Sequence, residues 1–202
     1  MLYDIHSETP GNKRVQAAID ALKNGELIVY PTDTLYGVGC DIHCKSAVEK
    51  IYALKFMDKK KPLSIICKDF TQIAEYAHVS NYAFKIMKKL LPGPFTVVLP
   101  ASNKVPKMLI TKQRTIGIRI PQNNFAIKLV EKLGAPIITT TLETDKEMVI
   151  SDPEEIHDRF SHQISMVFSE GISYSDPSTV VDLTGSELGI LRQGKGIVEE
   201  SI

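Results

Sequence analysis

The residues best suited to chemistry stand where apolar runs break off. After Val29-Tyr30 and Pro31 come Thr32, Asp33, Thr34, Tyr36, Gly37 and Gly39. Thr32, Thr34 and Tyr36 offer donors and acceptors where a strand opens into a loop, which is where α/β proteins hold ligands. The two glycines predict a tight turn and a backbone that comes close to a ligand. An ordinary polar turn would read the same way. Arg119 is harder to explain by structure alone. It lies between Ile118 and Ile120-Pro121 in a stretch, 115–120, that reads as a buried strand, and a buried guanidinium needs a counter-charge. An acidic side chain or an anionic ligand would supply one. Thr115 sits four residues earlier, on the same face of that strand. Lys59-Lys60-Lys61 could hold phosphate or be a solvated loop, and Ser178-Thr179 could present a hydroxyl or merely begin a strand. The five histidines are scattered, with no nucleophile–histidine pair.

Composition narrows the classes. A chain of 202 residues with 43% hydrophobic and 24% charged residues suits one soluble domain with a sizeable core. No apolar run is long enough to span a bilayer, and the first residues lack a signal-peptide pattern. The three cysteines, Cys40, Cys44 and Cys67, form no tight pattern, which predicts reduced thiols and a cytoplasmic setting. Cys40, His43 and Cys44 fall short of a four-ligand zinc site, so no metal held by protein side chains is expected. Net charge is zero but uneven. Residues 55–114 carry 12 Lys/Arg against 3 Asp/Glu, and residues 143–202 carry 4 against 13. The basic stretch could face a polyanion, pair with the acidic one, or solvate its own surface. The neutral total disfavours general RNA coating but leaves room for a local phosphate or tRNA groove.

These residues must be positioned by alternating elements. Helices are expected at 12–24, 46–55, 69–77, 81–91, 124–133 and 152–160. Strands are expected at 26–30, 63–67, 95–99, 115–120, 136–141, 164–168, 179–183 and 188–191. Gly25, Pro92-Gly93 and Gly134 end helices, and Asp152-Pro153 opens one. With no repeat and no strict βαβ alternation, the chain reads as one α+β or mixed α/β domain around a twisted sheet. It spans 1–202, with a core at about 12–196.

Taken in order, the Thr32–Gly39 segment, Lys55, Lys61-Pro62-Leu63-Ser64, Pro92-Gly93-Pro94-Phe95-Thr96, Thr115–Pro121, Pro177-Ser178-Thr179 and Leu191-Arg192-Gln193-Gly194 resemble the YrdC-like family. Its members are the threonylcarbamoyl-adenylate synthases and their paralogues. The resemblance covers nearly the whole chain and implies a curved mixed sheet with a concave, positively lined cavity. It also implies chemistry in which ATP, with Mg, meets L-threonine and bicarbonate to give threonylcarbamoyl-AMP, the donor for a tRNA adenosine. Carried over position by position, it implies nucleotide or phosphate contacts from Lys55, Lys61, Thr115, Thr139 and Arg192. Threonine or carboxylate contacts would come from Thr34, Arg119, Thr141 and Ser178. A guanidinium fork at Arg119 suits a carboxylate.

Two positions depart from the family pattern. Its K-x-R is Lys55-Phe56-Met57 here, and its S-x-N is Thr141-Leu142-Glu143. An arginine has become a neutral methionine and an asparagine a potential anion, a costly change beside a triphosphate. The Thr-Leu pair and Ser151-Asp152-Pro153 resemble the YciO branch. Three functions follow as expectations: adenylate synthesis, hydrolytic removal of threonylcarbamoyl from tRNA with Glu143 activating water, or tRNA and double-stranded RNA binding without catalysis. The oligomeric state is not readable from the sequence.

Overall fold

The computed structural model describes residues 1–54, 62–110, 112–142 and 149–199. Lys55, Met57, Lys59, Lys60, Lys61 and Glu143 therefore lie outside the described residues. The chain opens with β1 (Leu2–Asp4) and α1 (Asn12–Lys23), then β2 (Ile28–Tyr30), β3 (Gly37–Asp41) and α2 (Lys45–Leu54). Next come β4 (Ser64–Ile66), α3 (Phe70–Tyr76), α4 (Asn81–Leu90), β5 (Phe95–Pro100) and β6 (Thr115–Arg119). α5 (Asn124–Leu133), β7 (Ile137–Thr141), α6 (Pro153–Phe160), β8 (Met166–Ser169), β9 (Thr179–Asp182) and β10 (Gly189–Arg192) complete it. No helix among the described residues is long and apolar enough to cross a membrane.

Local chemistry sets most of these boundaries. Ser80, Asn123 and Asp152 each accept a hydrogen bond from a backbone N–H of the first turn of α4, α5 and α6, and such caps are worth about 1 kcal/mol each. Gly134 ends α5 in the left-handed conformation at φ 77°, where a Cβ would be strained. Asp152 and Pro153 open α6 as expected.

The ten strands form one mixed sheet in the order β1-β8-β2-β3-β7-β4-β6-β5-β9-β10. Four neighbouring pairs are parallel (β1/β8, β8/β2, β4/β6, β5/β9) and the other five are antiparallel. Two strands were not expected. β1 lies at one edge beside β8, too short to show a pattern and outside the anticipated core. β3 was read as a loop because of its glycines. Neither Gly37 nor Gly39 has a positive φ; they serve packing, not a turn. A Cβ on Gly39 would stand 2.6 Å from the Ile138 carbonyl oxygen and 2.8 Å from the Tyr30 ring.

Helices cover the two faces unequally. On one face, α1 and α5 pack Val15, Leu22, Phe125 and Leu129 against Ile28, Tyr30, Ile66, Ile137 and Phe168. The larger core on the other face gathers Val38, Ile65, Val97, Ile116, Ile118, Ile138 and Val181 under residues of α2, α3, α4 and α6. Among the described residues, α1 and α5 reach only the β1-to-β4 part of their face. Beyond it, the β6, β5 and β9 side chains of that same face line an open cavity.

Candidate functional site: a hydroxyl-lined cavity around Arg119

Strand alternation places the lining. Thr115, Gly117 and Arg119 of β6 face the cavity, while Ile116 and Ile118 face the core. Thr96 and Val98 of β5, Ser64 of β4, Thr139 and Thr141 of β7, and Val180 and Asp182 of β9 share that side. Thr139, Ser64, Gly117, Val98 and Asp182 are register partners in turn across five strands. Gly117 keeps this row hollow, since a Cβ there would come 2.6 Å from Ser64 Oγ. The cavity has a volume of about 490 Å³.

Arg119 is the centre of the polar network. Its Nη2 donates to Asp33 Oδ1 at 2.8 Å and to Thr34 Oγ1 at 2.9 Å. The Arg119 and Asp33 side chains are 8% and 9% exposed. The counter-charge is thus an acidic side chain. Burial pulls the guanidinium below its ordinary value, and the Asp33 carboxylate pushes back. The pair is not fully satisfied. Arg119 Nε and Asp33 Oδ2 are buried without a hydrogen-bond partner among the described residues. The loop bearing Asp33 is held from several sides. Thr32 Oγ1 donates to the Leu35 carbonyl at 2.6 Å. Ser173 Oγ donates to the Thr34 carbonyl at 2.8 Å, and Lys195 Nζ to the Asp33 carbonyl at 2.6 Å.

A second cluster forms where β9 begins. Ser178 Oγ and Thr96 Oγ1 share a hydrogen bond of 2.8 Å. Arg192 Nη2 donates to the Ser178 carbonyl at 2.8 Å and to Ser178 Oγ at 3.3 Å. Residues 193–196 fold back over this point, with Gly194 N donating to Thr179 Oγ1 at 2.9 Å and Thr179 Oγ1 to the Gly196 carbonyl at 2.6 Å. On another wall the Tyr36 hydroxyl donates to the Gly171 carbonyl at 2.6 Å and accepts from Glu170 N at 2.9 Å. Burial raises the Tyr36 phenol and also the Glu170 carboxyl, whose oxygens accept from Asn123 Nδ2.

Of the candidate residues, Thr115, Arg119, Thr139, Thr141, Ser178 and Arg192 all line this one cavity. Thr34 stands behind the wall, 3% exposed and bonded to Arg119. Lys55, Lys61 and Glu143 fall outside the described residues. The described lining is rich in hydroxyls. Its charged members are Arg119, Arg192 and Asp182, beside nine serines and threonines, and Asp33 already offsets Arg119. Asp33, Thr96, Ser64 and Asp182 were not anticipated. Among the described residues, no group of three or more His, Cys, Asp or Glu side chains could hold a metal ion.

A mixed sheet with a bare half-face and a buried arginine beneath rows of hydroxyls defines a mixed α/β domain with an open polar cavity. The Sua5/YciO/YrdC family model, described as "Telomere recombination", matches residues 20–194, and the chain belongs to that family. It is 36% identical over 197 residues to the uncharacterized protein YciO of Escherichia coli K12, covering 96% of each chain. The crystal structure of E. coli YciO superposes with a TM-score of 0.93 at 35% identity over 98% of both chains. A putative threonylcarbamoyl-AMP synthase of Methanocaldococcus jannaschii is 30% identical over 195 residues, 96% of this chain and 91% of its own. The P. abyssi Sua5 structure complexed with L-threonine matches with a TM-score of 0.88 at 27% identity, over 96% of this chain and 57% of that one.

Proposed function

We propose that the cavity binds L-threonine and a nucleotide, and that the protein acts in the chemistry of threonylcarbamoyl-AMP synthases, with ATP and Mg as the nucleotide substrate. The observation that carries this reading is Arg119. It lines a hydroxyl-rich cavity at the end of a strand, and its Nε has no hydrogen-bond partner among the described residues. Such a donor suits a carboxylate. Ser178, Thr96 and Thr141 supply hydroxyls to orient the rest of an amino acid. Thr115, Thr139 and Arg192 would meet the nucleotide. The chemistry asks the protein mainly to position reactants and offset charge, and a preformed rigid sheet does the first. The hydrolytic alternative rests on Glu143 and the RNA-binding one on the basic stretch 55–114, and no Lys or Arg of that stretch is among the described lining residues of the cavity.

The test is titration calorimetry of the pure protein with L-threonine and with MgATP, followed by pyrophosphate release in the presence of both and bicarbonate. Arg119→Ala should weaken L-threonine binding by roughly 1.5–3 kcal/mol, the scale of a charge-assisted hydrogen bond. A wild type that binds no L-threonine, or an alanine variant that binds it equally well, would sink the reading.

A further inference from the structure

We propose that Asp182 is the residue that selects the ribose of the nucleotide, accepting hydrogen bonds from its 2′,3′-diol. This rests on the reading of the cavity as a nucleotide site and adds a residue to it.

Asp182 is the one carboxylate among the described lining residues. It ends the row that runs from Thr139 through Ser64, Gly117 and Val98. Its Oδ1 accepts from Thr184 N at 2.9 Å, which fixes the carboxylate. Among the described residues it makes no ion pair. Space is left around it. Its register partner on β10 is Gly189, where a Cβ would stand 3.6 Å from Asp182 Cβ. Gly117, two strands away in the same row, also carries no side chain.

An ionised carboxylate only accepts hydrogen bonds and repels phosphate. The part of a nucleotide that meets it must be uncharged and rich in donors. Phosphates accept only, and an adenine offers a single amino group, but a ribose offers two adjacent hydroxyls. A carboxylate on ribose hydroxyls is also how dinucleotide folds hold that sugar. The surroundings fit this order. Arg192 is the register partner of Val180, two residues along β9 from Asp182, so a cation for phosphate lies next to the proposed sugar position. Arg119 is two strands and two residues from Asp182. At about 4.8 Å per strand and 3.4 Å per residue, that is on the order of 12 Å. A ligand with its sugar at Asp182 and an amino-acid carboxylate at Arg119 spans such a distance, with its phosphate between them.

The experiment compares binding of MgATP and of 2′,3′-dideoxy-ATP with Mg to the wild type and to Asp182→Asn. Asparagine keeps an oxygen for the Thr184 N–H, so the turn survives. The wild type should prefer ATP at least tenfold. In Asp182→Asn the preference should fall below about threefold, through weaker ATP binding, since a buttress for the fold alone would move both nucleotides together. Equal wild-type affinity for the two nucleotides overturns the assignment, whether or not the variant folds, and leaves the cavity a nucleotide site. A preference that survives in Asp182→Asn also overturns it. A wild type that binds neither nucleotide overturns this inference together with the nucleotide reading.

Discussion

Removing the Asp33 charge tests how the cavity wall is built. Asp33→Asn leaves the shape nearly unchanged and takes away the counter-ion of Arg119. The two groups meet at 2.8 Å with both side chains more than nine-tenths buried. Breaking such a pair on one side typically costs roughly 3–5 kcal/mol, because a buried charge is left uncompensated. Asparagine still offers an oxygen to Arg119 Nη2, and Asp33 Oδ2 has no partner to lose among the described residues. The loss should therefore lie near the lower end, about 3 kcal/mol. In a domain of this size each kcal/mol moves Tm by roughly 2–4 °C, so the melting temperature should fall by about 6–12 °C. The assay is urea and thermal unfolding followed by circular dichroism, at low salt and again near 1 M NaCl. Salt should leave the difference almost intact, since buried pairs are poorly screened. In an Arg119→Met background the same Asp33→Asn change should cost little or even stabilise, for it then removes a lone buried carboxylate. A fall in Tm under about 2 °C, or a double-mutant cycle with no coupling, would refute the view that this pair holds the wall.

Two further outcomes follow from packing and from pH. Gly39→Ala should destabilise by about 1–3 kcal/mol, toward the upper end of ordinary overpacking, because the new methyl meets the Ile138 backbone oxygen and the Tyr30 ring. Unfolding in urea would reveal it, and a neutral result would mean that β3 can move away from β2 and β7. Glu170→Gln should change the pH profile of stability. Burial raises the Glu170 carboxyl in the folded state, so the folded protein binds the extra proton and stability declines as pH rises from the ordinary carboxylate value through the raised one. The glutamine variant should lack that part of the decline, and parallel wild-type and variant profiles across the window would disprove it.

Most helices could be read because their signals are local. The apolar spacing of α1, α4 and α5, the caps at Ser80 and Asn123 and the left-handed Gly134 all act within a few residues. The strand face of β6 was readable from simple alternation, with Thr115 and Arg119 on one side and Ile116 and Ile118 on the other. β1 was missed because three residues carry no period, and its place is set by pairing with β8, more than 160 positions away. β3 was missed because glycines usually break strands. Here they make room for Tyr30, a demand visible only once β2 and β3 are side by side. Arg119 was recognised as a buried charge in need of a partner. That the partner would be Asp33, 86 positions away, is a tertiary fact that spacing does not carry.

The extent of the cavity was in principle written in the strands themselves. On β4, Ile66 packs under the helices while Ser64, two residues away on the same face, lines the cavity. On β7, Ile137 is in the helix-covered core and Thr139 and Thr141 are in the cavity. Each strand thus changes from apolar to hydroxyl along a single face, and the change marks where α1 and α5 stop covering the sheet. An isolated threonine in a strand says little, because threonine is a good strand former in any case. Two neighbouring strands that switch at the same register row say more. Uncovered apolar side chains there would expose a patch that monomeric proteins avoid, whereas hydroxyls can be wet when the cavity is empty and can bond a polar ligand when it is full. The sheet thereby keeps one rigid framework for both tasks, with an apolar floor for the helices at one end and a polar one for a ligand at the other.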